Sequence, residues 1–102
     1  MKCTKCGRDF DEGGEDCRVA SISGSIMGDE YIDSYYFCSR CGFYTIEVYH
    51  DRFLGEDEAS LKGPVPKSEG DAQVALIQEC SEPWNKKCRC DTHRSYFGDA
   101  LD

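Results

Sequence analysis

No stretch of this 102-residue chain approaches the ~18 consecutive apolar residues that a membrane span requires, and 39% hydrophobic residues permit only a small core. Catalytic fingerprints are missing as well: there is no GxSxG elbow, no HExxH helix, no phosphate loop and no dinucleotide-binding glycine motif. Cations are in deficit, with 12 lysines and arginines against 20 aspartates and glutamates and a formal charge of −8. A field of that sign repels phosphate backbones and argues against general nucleic-acid binding. One residue type is in excess: there are eight cysteines.

Four of those cysteines fall in two copies of one device, Cys3-Thr4-Lys5-Cys6-Gly7 and Cys38-Ser39-Arg40-Cys41-Gly42. Two residues between thiols let a tight turn aim both sulfurs at one point, and the following glycine allows the positive φ that turns backbone N–H groups toward them. Four thiolates so placed suit a tetrahedral ion, either zinc or a single iron. The alternative is two buried thiol pairs or two disulfides. Compartment bears on that choice. The first knuckle starts at Cys3, directly after Met1 and Lys2, so no secretory leader is expected and the protein is expected to be cytoplasmic. In a reducing cytosol this density of cysteine reads as metal binding.

A second cluster lies in CSEPWNKKCRCDTH, with Cys80, Cys88, Cys90 and His93. Three thiols and a neutral imidazole can close a second zinc site. Cys17 competes with His93 for the fourth position; an unligated Cys17 is a small apolar residue at the start of a strand, and an unligated His93 is a surface histidine near basic residues. His50 ends a strand with no cysteine near it in sequence and reads as a partly buried structural histidine.

Hydrophobic periodicity supplies the frame. After an acidic glycine turn over 11–16, Ala20, Ile22, Gly24 and Ile26 share one face of a strand spanning 18–26. A turn at 27–30 leads to an aromatic strand over 31–37, and Tyr44, Ile46, Val48 and His50 mark a third antiparallel strand. Residues 55–67, polar and broken by Gly63-Pro64 and Pro66, are expected to be a linker loop. A helix over 69–80 follows, capped by Ser68 with Asp71 in a capping-box position, burying Ala72, Ala75, Leu76, Ile77 and Cys80, and Pro83 stops it. The expected fold is a small α+β metal-stabilised domain of about three strands, a C-terminal helix and a second Cys/His loop. A module of residues 1–54 and a segment of residues 68–102 are expected to pack as one domain.

Charge is uneven along the chain. Asp51, Glu56, Asp57 and Glu58 form an acidic patch, and Lys86, Lys87, Arg89 and Arg94 gather among the C-terminal cysteines. Both read as solvated surface, the basic group alternatively as a local anion or RNA contact with Trp84 and Tyr96 as stacking faces.

The paired CxxCG knuckles with strands between and after them resemble the zinc ribbons, over roughly residues 1–50. That resemblance implies Cys3, Cys6, Cys38 and Cys41 as ligands of one structural zinc and a role as a rigid platform for partners. The run from Cys3 to Asp11 also looks like the first knuckle of rubredoxins, which implies iron and electron transfer, although Ser39 stands where that family usually has proline. The expected function is a non-enzymatic protein with two structural zinc ions and an unidentified protein partner. Rubredoxin-like or iron–sulfur electron transfer is the alternative.

Overall fold

The computed structural model describes residues 2–7, 18–52 and 55–98. Its elements run β1 (Arg18–Ile26), β2 (Asp29–Cys38), β3 (Phe43–Asp51), β4 (Glu58–Pro66), α1 (Lys67–Gln78) and α2 (Asp91–Phe97). The strands form one antiparallel sheet in the order β1-β2-β3-β4, a meander in which each strand pairs with its sequence neighbour. The acidic turn expected over 11–16 lies outside the described residues.

The first hairpin turns on two residues. Met27 and Gly28 both have positive φ, 53° and 87°, the combination whose twist matches paired strands, so β2 starts at Asp29 rather than at Tyr31. Alternation then places Ile22, Tyr35, Tyr44 and Ile46 on one face, where Val74 and Ile77 of α1 complete the core. The first three strands carry the inward faces expected of them. At the far end of that face His50 stacks on Tyr31, with centroids 4.2 Å apart, and bonds Asp29 through Nε2 at 3.0 Å. This is the structural histidine its sequence position suggests.

Two expectations fail. The stretch read as a linker loop is β4, which brings the sheet to four strands. Its pairing runs from His50↔Glu58 to Phe43↔Pro66, with a register shift between Tyr44 and Ile46. That irregularity absorbs Gly63 and Pro64, whose peptide bond is cis and whose glycine has φ 139°. Proline is tolerated because β4 is an edge strand, and a polar, exposed edge is what keeps a sheet from pairing onward. Composition therefore imitated a loop.

The helix begins two residues early and ends two residues early. Pro66 is its N-cap and no side chain caps it, so Ser68 does not act as expected. Asp71 instead accepts from the Tyr44 hydroxyl and from Lys67 Nζ, each at 2.6 Å. The buried stripe is Gly70, Val74 and Ile77, while Ala72 and Ala75 are exposed. Glycine decides the rotation. The Tyr44 ring lies against Gly70, in space a Cβ would occupy, so the helix presents its smallest residue to a large aromatic side chain of β3. Gly24 does the same for the Phe97 ring of α2, whose atoms lie as near as 2.6 Å to a built Cβ. The short helix α2 had no counterpart in the sequence reading.

Replacing Gly70 with Ala gains up to about 1 kcal/mol of helix propensity but forces the Tyr44 contact apart. Overpacking of this kind costs about 1–3 kcal/mol, so Gly70→Ala is expected to lower the denaturant midpoint, and an unchanged or raised midpoint would show that Tyr44 does not set the helix position.

Candidate metal centres

Both knuckles use glycine as the spacing suggests. Gly7 and Gly42 have φ of 78° and 75°, and each donates its N–H to the carbonyl of the first cysteine in its motif, Gly7 to Cys3 at 3.0 Å and Gly42 to Cys38 at 2.8 Å. A Cβ at either position would meet nothing within 4 Å, so backbone conformation rather than space demands glycine there. The second knuckle is the β2–β3 connection. The first is held to the sheet by Thr4, whose N–H donates to Thr45 Oγ1 at 3.0 Å and whose hydroxyl meets the same atom at 3.1 Å. Thr45, fully buried on the face away from α1, is the anchor.

These anchors bring Cys3, Cys6, Cys38 and Cys41 together with all four sulfurs within 4.8 Å of one another. The Cys3–Cys41 and Cys6–Cys38 separations are both 3.6 Å. A tetrahedral ion with metal–sulfur bonds near 2.3 Å requires edges of about 3.8 Å, so the thiols already stand at the corners of such a site. All four are free thiols, which sets aside the disulfide alternative. Cys3 and Cys38 are buried and Cys6 is exposed.

The second cluster is built from a helix end, a loop and a helix start. Cys80 lies just beyond α1 rather than on its last turn, with its N–H bonded to Ile77. The loop returns through turns closed by Asn85 N–H to Glu82 and by Cys88 N–H to Asn85, each at 3.0 Å. Cys90 is the N-cap of α2, and Arg94 N–H bonds its carbonyl at 3.1 Å. That turn sets Cys90 and His93, three residues apart, on one face. Cys80 Sγ is 3.8 Å from Cys88 Sγ, 3.4 Å from Cys90 Sγ and 3.5 Å from His93 Nδ1, and Cys90 Sγ is 3.4 Å from the same nitrogen. A tetrahedral ion bound by sulfur and imidazole nitrogen asks for sulfur–nitrogen edges of about 3.5 Å.

His93 is fully buried, and its other nitrogen identifies its tautomer. Nε2 lies 3.0 Å from the carbonyl oxygen of Ser23. A carbonyl only accepts, so the proton sits on Nε2 and the Nδ1 lone pair faces the three sulfurs. An outer hydrogen bond that orients the ring and sets its tautomer is the habit of a metal-ligating histidine. The N–H of Ser23 donates to Pro83 in the same loop at 2.8 Å. Both backbone groups of one β1 residue thus hold the second cluster to the sheet. His93 groups with the three thiols as a fourth possible ligand; its competitor Cys17 lies outside the described residues.

Charge explains why these groups call for a cation. Burial raises Cys38, but backbone N–H groups of Cys41 and Arg40 and the neighbouring thiols outweigh it and bring the thiol down to about 6. Cys41 goes the other way, to about 12, pushed by burial and by protons shared with the remaining thiols. In the second cluster the contact with His93 leads in lowering Cys90 to about 6, while burial raises Cys80 to about 11. Burial raises Cys3, but backbone and thiol hydrogen bonds outweigh it and lower that thiol as well. Each cluster thus holds at least one thiol that ionises readily beside one that resists, because like charges this close exclude each other.

The charged and aromatic residues around the second cluster are partly committed. Arg89 donates to the carbonyls of Lys86 and Cys88, at 2.9 and 3.1 Å, and Lys86 pairs with Glu30 at 3.5 Å. Tyr96 packs on the sheet, whereas Trp84 is 67% exposed. In the acidic patch Asp57 accepts from the Tyr49 hydroxyl and Glu58 pairs with Arg52. No helix among the described residues is long and apolar enough to cross a membrane. No family model matches this chain, and neither curated proteins nor solved structures supply a match.

Truncation of His93 would leave the Ser23 carbonyl without its donor and open a cavity beneath α2. His93→Ala is expected to destabilise the fold by about 3 kcal/mol and to speed amide exchange in β1 ahead of the β2–β3 knuckle, read by hydrogen exchange. Uniform acceleration across both regions would refute a local role.

Proposed function

We propose that this protein is a non-enzymatic zinc-binding module in which two structural ions hold a small sheet-and-helix domain as a platform for a protein partner. The carrying observation is the pair of preformed four-ligand sets, each spanning no more than 4.8 Å. Two complete sets leave no coordination position for substrate, which supports structural rather than catalytic sites. Cys3, Cys6, Cys38 and Cys41 would hold one ion, and Cys80, Cys88, Cys90 and His93 the other. The metals would supply cross-links that a core of six clustered buried side chains lacks. The segments 1–54 and 68–102 act as one unit in this reading, because Val74 and Ile77 complete the core begun by the strands. The net charge of −8 favours a protein partner over nucleic acid, and the free thiols fit a reducing, cytoplasmic setting.

A second reading rests on one observation. Cys6 is exposed while Cys3 and Cys38 are buried, an arrangement that would bring one ligand sulfur of the first site to the surface, as electron transfer from a rubredoxin-like iron requires.

Metal content and the visible spectrum of protein purified without added metal separate the two. Two colourless zinc ions per chain are expected, whereas a red or brown iron protein would favour the second reading. Cys38→Ser is expected to lose the first ion and, with it, folding free energy on the order of 10 kcal/mol; a native cooperative melt in that variant would refute the structural role.

Loading must strip the protons that Cys41 and Cys80 retain at neutral pH, their values standing near 12 and 11. Affinity therefore rises with pH and falls on acidification, about tenfold per unit for each proton displaced. A chromogenic chelator should show zinc release growing steadily as pH is lowered from 8 to about 5. Release independent of pH would mean that the thiols are not the ligands.

A further inference from the structure

α1 and α2 leave part of their sheet face uncovered. Between them and β4 opens a cleft of about 420 Å³, floored by Asp33, Tyr35 and Ile46 and walled by Lys62, Glu69 and Tyr96. That volume lies in the small-molecule range.

Asp33 is anomalous in the pattern that built the sheet. It stands opposite Ile22 on β1 and Val48 on β3, on the face whose apolar members form the core. A carboxylate loses hydration there, and burial raises its pKa against the opposing influences of Tyr96 and Lys62. The surrounding hydroxyls are arranged to serve it. Tyr96 donates to Asp33 Oδ2 at 2.6 Å. With its only proton so used, Tyr96 must accept from Tyr35, 2.6 Å away. Both hydroxyl protons run toward the carboxylate.

The other carboxylate oxygen, Oδ1, takes no hydrogen bond from a described residue, and no described buried side-chain oxygen lacks a partner, so Oδ1 opens to the cleft. The floor therefore offers acceptors and aromatic rings, Glu69 adds a second carboxylate, and Lys62 adds one cation. A simple anion would meet two carboxylates against one ammonium. An apolar ligand would bury Asp33 without recompense, which is costly. A ligand carrying an ammonium together with an anionic group pairs with Asp33 and Lys62 and leaves the second carboxylate, Glu69, exposed to solvent.

We propose that this cleft binds a small zwitterionic amine of the amino-acid type, its ammonium seated on Asp33 beside the Tyr35 and Tyr96 rings and its anionic group on Lys62. The site is independent of the metal reading, since none of its lining residues belongs to either ligand set.

The test is an amide-shift titration of the full chain, as purified, with pools of free amino acids, followed by any active member and its N-acetyl form. Saturable shifts centred on Asp33, Lys62 and Glu69 are expected below about 10 mM, the regime of weak metabolite sites. Asp33→Asn keeps an acceptor for Tyr96 and is expected to weaken binding about tenfold or more, as is N-acetylation, since each removes a charged hydrogen bond. Lys62→Gln changes an exposed residue and provides a second variant that does not burden folding. No saturable shift from any pool, or binding that ignores Asp33→Asn, Lys62→Gln or N-acetylation, would overturn the proposal.

Discussion

Four sulfur atoms within 4.8 Å of one another cannot all ionise together unless positive charge is placed among them. Coulomb repulsion at that range exceeds what backbone N–H groups can offset, and the opposed shifts of Cys38 and Cys41 display the conflict. The fold nevertheless imposes this proximity twice, once with four thiols and once with three thiols and an imidazole. A cation placed in either group would offset that repulsion and cross-link distant parts of the chain, and the proposed structural role rests on this.

The clusters also organise the sheet around them. The first closes the β2–β3 connection and reaches the sheet through the bond from half-buried Thr4 to fully buried Thr45. The second takes up both backbone groups of Ser23, through Pro83 and His93, on β1, an edge strand that would otherwise present unpaired donors and acceptors. The opposite edge, β4, is managed differently, by exposure, proline and a register irregularity. Both ends of the meander are thus protected, one by the loop that carries the second cluster and the other by composition.

Between these edges one part of the molecule departs from consistency across levels. Asp33 occupies an inward position, where Tyr96 donates its hydroxyl proton to the carboxylate and Tyr35 donates to Tyr96. Local rules broken with such compensation are where function concentrates in proteins. The cleft beside Asp33 is walled by residues of β4, α1 and α2, Lys62, Glu69 and Tyr96 among them.

Much of the metal chemistry was legible in the residues, because CxxCG is a local device: its turn, its glycine and its two sulfurs lie within five positions. The period-two strands were legible for the same reason. β4 was not, since an edge strand lacks the alternation that burial imposes and its Gly63-Pro64 reads as loop punctuation. Nor was the face of α1, because the small residue that meets Tyr44 is chosen by the partner across the sheet rather than by helix propensity. The sequence by itself determined which side chains could ligate and how they pair within each knuckle. Tertiary structure decided that the four sulfurs expected to share a site do come within 4.8 Å of one another, that His93 turns Nδ1 toward the thiols, and that Asp33 lines a cleft. Those outcomes depend on atoms brought together from distant positions, as with His93 and Ser23, seventy residues apart, and no local pattern encodes such a meeting.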